Sequence, residues 1–186
     1  MESRKRSRAD WIAAGLERLG EVGVDKVRVD QIASILGVTK GSFYWHFKDR
    51  SHFLDALVEA WEAIGARIVF DASDSEGLDP EARSQHLWKL ISGSDDTRAE
   101  LAIRDWARRN EAIAKRVQRV DDRRMQYLET IFTDLGLPAT EVGPRSLLAY
   151  SLLIGDYLVT TRHAKRAQRR RMVTDALLLL MKRQGE

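Results

Sequence analysis

The stretch VDQIASILGVTKGSFYWHF, residues 29–47, decides the fold. Ile32, Ala33 and Leu36 recur at the spacing of one helix face, which predicts a short helix turned toward a core. Gly37 stops it, because glycine enters the left-handed conformation of a helix end at little steric cost. Val38 fills the angle that follows. The Thr39 hydroxyl is placed to cap a second helix over residues 40–46. Two short helices joined by a tight turn form the helix-turn-helix grammar, in which the second helix enters a DNA groove.

Rotation at about 100° per residue sorts that second helix. Phe43 and Phe47 share one face and anchor it to its own domain. Gly41 and Trp45 lie opposite, with Ser42 and Tyr44 at the flanks and Lys40 projecting from the first turn. Glycine costs helix stability, so Gly41 implies that a phosphate or a base edge approaches the backbone closely. Lys40, Ser42, Tyr44, Trp45, His46 and Lys48 then supply donors for phosphate oxygens and major-groove acceptors. The plain alternative is a surface helix of an ordinary bundle. Such a helix has no need of Gly-Ser-Phe-Tyr-Trp-His at its start.

The pattern extends well beyond this stretch. It comprises Ile12-Ala13-Ala14-Gly15-Leu16, Gly23, Ile32-Ala33, Leu36-Gly37-Val38-Thr39-Lys40-Gly41-Ser42-Phe43-Tyr44, His46-Phe47 and Asp49-Arg50. Over residues 12–61 the chain resembles the DNA-binding domain of the TetR family of bacterial transcriptional regulators. One position departs. The family usually carries a threonine four residues before the Ile-Ala pair, where it caps the helix and touches a phosphate. Arg28 stands there instead; it cannot cap, but it can bring a cation to the same phosphate. Gln31 is placed to compensate by reaching back to a free N–H at the helix start.

Charge placement agrees with a nucleic-acid-binding head. Residues 1–50 hold ten lysines and arginines against seven acids, whereas residues 51–186 hold 21 of each. The whole formal excess of +3 therefore sits with the helix-turn-helix. Arg4, Lys5, Arg6 and Arg8 read as a flexible arm. It either follows a phosphate backbone or a minor groove, or serves as a solubilising tail. No cysteine occurs, which excludes a disulfide framework, a thiolate metal site and a cysteine nucleophile. A basic start with no apolar run behind it argues against a secretory signal. The apolar run at residues 176–181 is too short for a membrane span. A cytoplasmic protein without membrane association is the expectation.

The remaining chain reads as helices throughout, giving an all-α fold without strands. A first helix is expected over residues 8–21, with Ile12, Leu16 and Leu19 inward and Gly20 or Gly23 at its end. Asp49 caps a long helix over residues 50–70, whose apolar side carries Leu54, Leu57, Val58 and Trp61 while Glu59 and Glu62 face solvent. Polar DASDSEGLD at residues 71–79 is a loop. Further helices follow at residues 80–91, from Asp95 or Asp96 through Trp106, at 111–135, from between 140 and 144 to 162, and at 164–183. The organisation predicted is a helix-turn-helix domain at residues 1–50 and a helical effector-binding and dimerisation domain at 51–186, joined by the long helix.

The last two helices are apolar around much of their circumference, which demands cover on more than one side. The TetR resemblance implies that they pair with a second subunit as a four-helix bundle, so Leu148, Leu152, Gly155, Leu177 and Leu180 are assigned to a homodimer interface. Trp61, Trp88, Trp106, Tyr150 and Tyr157 are candidates to line an effector cavity, although aromatics at helical spacing also build cores. Enzyme signatures are lacking. His46, His52, His86 and His163 show no zinc-ligand spacing, Ser42 and His46 lack a carboxylate to orient them, and no cofactor, metal or catalytic residue is assigned. The expected function is a homodimeric DNA-binding transcriptional regulator on a palindromic operator. Most simply it is a repressor released by a small, largely apolar effector. An architectural or replication-coupled DNA-binding protein without an effector is the alternative.

Overall fold

Helix α1 begins where Ser7 allows it to. The Ser7 hydroxyl accepts the Asp10 N–H at 3.2 Å, and the Asp10 carboxylate accepts the Ser7 N–H at 2.8 Å, so two free donors at the helix start are satisfied reciprocally. The computed structural model describes residues 6–73, 82, 97–159 and 166–182. Its helices are α1 (Arg8–Val22), α2 (Val29–Leu36), α3 (Arg50–Ser73), α4 (Thr97–Ala107), α5 (Glu111–Asp134), α6 (Ala139–Leu158) and α7 (Arg166–Met181). A 3₁₀ segment, Lys40–Trp45, lies between α2 and α3. The described residues are helical with no strand, as the patterning required. The helix expected over residues 80–91 and most of the expected loop at 71–79 lie outside the described residues.

The chain divides into two compact units, Met1–Gly65 with Asp95–Gln118, and Ala66–Ser94 with Arg119–Glu186. The first is built on aromatic rings. Phe43 meets Trp11 edge-on at 5.4 Å between centroids, Phe53 edge-on at 5.5 Å and Phe47 at 5.2 Å. Each such pair contributes about 0.5–1.5 kcal/mol beyond the area it buries. The two phenylalanines singled out by their spacing are thus both fully buried. Gly20 does not end α1. A Cβ there would stand 2.6 Å from Arg98 Cβ, so its lack of a side chain lets α1 and α4 touch. Gly23, at φ 74°, is the residue that ends the helix.

A buried polar tie holds α3 and α4 in this unit. Trp61 Nε1 donates to Glu100 Oε2 at 2.7 Å, and Arg104 Nε donates to Glu100 Oε1 at 2.7 Å. Beside it, Arg116 of α5 grips Glu62 through two hydrogen bonds of 2.9 and 2.6 Å. Glu62 therefore does not face solvent as its helical position suggested, because Arg116 lies across that side of α3. The Glu62 hydrogen bond raises the Arg116 guanidinium above its ordinary value, against the desolvation that lowers it. Removing one partner of a buried charged tie leaves the others unmatched. Glu100→Ala is accordingly expected to destabilise the first unit by about 2–3 kcal/mol, seen as a lower urea midpoint at unchanged slope.

The second unit packs Leu128, Ile131 and Phe132 of α5, Ala149 of α6, and Leu177 and Met181 of α7 around Leu137. Arg145 closes its far end, donating to the carbonyls of Leu180 at 2.7 Å and Lys182 at 2.6 Å. Those carbonyls have no partners within a helix that stops there.

Candidate DNA-binding surface

The turn between α2 and the 3₁₀ segment rests on Gly37, which adopts φ 68°, ψ 35°. From that left-handed position its N–H reaches Ser34 O at 3.1 Å, and the Val38 N–H reaches Ala33 O at 3.0 Å. Both hydrogen bonds satisfy carbonyls that the helix end would leave open. Thr39 follows in an extended conformation, but its hydroxyl caps nothing. The roles are reversed from expectation: Ser42 Oγ donates to the Thr39 carbonyl at 2.8 Å, and the Ser42 N–H does so at 3.1 Å. A serine bonding three residues back competes with the α-helical ladder, which accounts for a 3₁₀ segment where an α-helix was expected.

The tighter winding changes the register. At about three residues per turn, i and i+3 eclipse, so Gly41 aligns with Tyr44 and Ser42 with Trp45. Lys40, Gly41 and Lys48 are exposed, and Ser42 and His46 are half-buried. Tyr44 is 59% exposed and Trp45 88%. A tryptophan so open takes almost no part in its own fold. Phe43 and Phe47 hold the segment from behind, and Asp49 fixes what comes next, its carboxylate accepting the His52 N–H at 2.8 Å to cap α3.

The departing position behaves differently from the sequence expectation in one respect. Arg28 is exposed and forms two hydrogen bonds to Asp30, at 3.2 and 3.1 Å. Desolvation pushes the Asp30 carboxyl up, while the hydrogen bond and charge of Arg28 and nearby backbone N–H groups outweigh it, leaving the group below its ordinary value. Arg28 is thus held in place at the start of α2. Gln31 does not reach back to the helix start, because its Oε1 accepts from Arg18 Nη2 at 3.2 Å.

Other contacts escaped the sequence reading. Arg50 donates to the carbonyls of Val27 at 2.8 Å and Val24 at 2.6 Å, strapping the chain before α2 to the start of α3. The arm is engaged from Arg6 onward: Arg6 Nε donates to Leu36 O at 3.0 Å, and the Arg8 guanidinium lies 5.1 Å over the Phe47 ring.

Residues 12–57 match the sequence model of the family described as bacterial regulatory proteins, tetR family. Over those residues the chain is similar to TetR-family regulators. It is 43% identical over 72 residues to the transcriptional regulator AcuR of Cereibacter sphaeroides, a match covering 39% of this chain and 33% of that protein. It is 49% identical over 49 residues to the class G tetracycline repressor of Vibrio anguillarum, covering 26% and 23%. The matched region thus spans about a third or less of these relatives' length. Solved structures extend the likeness in fold to nearly the whole chain. A TetR regulatory protein from Rhodobacter sphaeroides superposes with TM-score 0.73 at 22% identity, covering 93% of this chain and 96% of that one. KstR2 of Mycobacterium tuberculosis, a ketosteroid transcriptional regulator, does so with TM-score 0.71 at 15% identity, covering 96% and 95%.

The TetR matches place the helix-turn-helix within the recognised region and the other assigned residues outside it. Trp61 is buried in the tie to Glu100. Trp106 is half-buried, as is Tyr150, whose hydroxyl donates to Asp121 Oδ1 at 2.7 Å. Trp88 and the side chain of Tyr157 lie outside the described residues. Of the residues assigned to the dimer interface, Leu177 belongs to the core of its own unit, and Leu152 and Leu180 pack partly against that core. Gly155 is half-buried with open space at its Cα, and Leu148 is exposed. Among the described residues no helix is long and apolar enough to cross a membrane.

Proposed function

We propose that this protein is a homodimeric regulator that binds a palindromic operator and represses transcription until a small, largely apolar effector releases it. The observation that carries the DNA-binding half is the exposed Gly41–Trp45 surface on a segment anchored from behind by Phe43 and Phe47. Arg28, Thr39, Lys40, Ser42, Tyr44 and Lys48 surround it with donors and cations, which suit phosphate oxygens and base edges. A two-fold dimer would present two such surfaces, so the selected site should be an imperfect palindrome with half-sites about 34–36 Å apart, or a multiple of that.

The effector half rests on the partly buried aromatics Trp106 and Tyr150 and on the continuity of α3, which carries residues of both compact units. Trp61 enters this reading as the end of the Glu100 tie rather than as an open wall. An effector that disturbs the tie changes what holds α3, and by linkage the operator must weaken the effector by the same factor. The test is selection of duplexes from a random library by the full chain, followed by titration of hydrophobic compounds against the selected duplex. Enrichment of a palindrome and its release by one compound is expected. If no duplex is enriched, the DNA-binding reading is wrong; if a palindrome binds but equal affinity is found for every compound with and without DNA, only the effector reading fails.

A further inference from the structure

Of the donors assigned to the DNA-binding surface, His46 is already spent within the protein. Its Nε2 lies 3.0 Å from the Arg6 carbonyl, an atom that only accepts. Arg28 is spent only in part. Its Nε donates to Asp30 Oδ1 at 3.2 Å and its Nη2 to Asp30 Oδ2 at 3.1 Å. Asp30 therefore covers one edge of the guanidinium, the edge made by Nε and Nη2. The end-on edge keeps a parallel pair of N–H groups, one from Nη1 and one from Nη2. A ligand can reach it, since the Arg28 and Asp30 side chains are 66% and 51% exposed. Asp30 is itself tied to the backbone N–H groups of Gln31 and of its own residue. The open edge is thus carried on α2 in a set direction.

What such an edge binds follows from charge. The start of a helix offers unpaired N–H groups to an anion, and in this chain the Asp30 carboxylate occupies that place. A phosphate brought to Arg28 would share the guanidinium with that carboxylate, like charge beside like charge. An uncharged pair of acceptors meets no such repulsion. Guanine offers one in the major groove, where O6 and N7 accept from both N–H groups of a guanidinium at once. The first helix of a helix-turn-helix crosses the DNA backbone. A side chain from its start must therefore be long to pass the phosphates, as arginine is. We propose, resting on the DNA-binding function above, that Arg28 reads a guanine in each half-site and that Asp30 is its positioning residue. Asp30 turns Arg28 from a phosphate clamp into a base reader.

The test uses the full chain and the duplex that the wild-type protein selects from random DNA, with each guanine of a half-site replaced in turn. At one guanine, replacement by adenine is expected to weaken wild-type binding about tenfold. Replacement of the same base by 7-deazaguanine, which lacks only the N7 acceptor, should cost about fivefold. Arg28→Ala should bind all of these duplexes equally, since base change and substitution remove one interaction. Arg28→Lys keeps the cation but not the fork, so it should lose the preference as well, whereas a phosphate contact would survive that exchange. Asp30→Asn should reduce the preference to below about threefold and steepen the salt slope by up to about 0.9, as the released Arg28 turns to a phosphate. Both residues are exposed, so circular-dichroism melts close to wild type are expected for every variant. The base-reading role is overturned if the selected half-sites share no guanine or if Arg28→Ala stays as sensitive to the base changes as wild type. It is also overturned if Arg28→Lys keeps wild-type affinity and preference. An unchanged preference and salt slope in Asp30→Asn overturns the positioning role. In each case operator binding by the wild-type chain stands; failure of that chain to select any duplex overturns both readings.

Discussion

Gly41→Leu is expected to abolish selective DNA binding while leaving the head folded. A Cβ built at Gly41 meets only Thr39 Oγ1, at 3.7 Å, so the molecule itself has room for a side chain there. Leucine also favours helix over glycine by up to about 1 kcal/mol. Neither packing nor propensity therefore explains a glycine at this position. The close approach of DNA to the backbone in the proposed function would account for it. In 3₁₀ register the new side chain would stand in line with Tyr44 and hold the backbone off the groove along the whole exposed edge. A loss of at least about 100-fold in affinity for the selected duplex is expected, equivalent to about 2.8 kcal/mol. Fluorescence anisotropy reads the loss, and circular dichroism with sedimentation checks that fold and assembly persist. Binding at wild-type strength by a Gly41→Leu protein would remove this residue from the interface.

Much of the head was legible because its determinants are local. A glycine at the end of α2, two phenylalanines four residues apart and an aspartate ahead of α3 act on residues within a turn or two of themselves. The structure bears each of them out. The 3₁₀ winding was not legible, since it depends on whether Ser42 bonds to Thr39 or the backbone completes an α-helical turn, and those choices differ by little energy. Gln31 and Glu62 were misplaced for a different reason. Each was assigned from its own helix, while its partner comes from another element: Arg18 for Gln31, and Arg116, 54 positions away, for Glu62. Glu100 was missed altogether, because nothing in its sequence neighbourhood announces that it will be buried beneath Trp61. A signal did exist. A tryptophan on the apolar face of a helix has an N–H that must find an acceptor when buried, and a carboxylate on a later helix is the natural candidate.

The homodimer reading yields the other large effect, and the structure changes which residue should test it. Leu177 lies in the core of its own unit, and Leu152 and Leu180 pack partly against that core. An arginine at any of them would place a charge inside the protomer and confuse unfolding with dissociation. Leu148 is 57% exposed on α6, and on α7 Met172 is 57% and Leu179 65% exposed. Large apolar side chains left open on the last two helices are what a covered face looks like when its cover is absent. Leu148→Arg should therefore yield a monomer whose thermal melt keeps its secondary-structure amplitude. If two heads bind one palindrome, the second head docks at an effective concentration set by the first. Its loss should lower affinity for the full site by about 10²–10⁴-fold. Binding to a duplex carrying a single half-site should change little, in contrast to Gly41→Leu, which should weaken half-site and full-site binding alike. Sedimentation velocity and titration on both duplexes separate the outcomes. A Leu148→Arg protein that sediments as a dimer and binds the palindrome normally would place the subunit interface away from this face of α6.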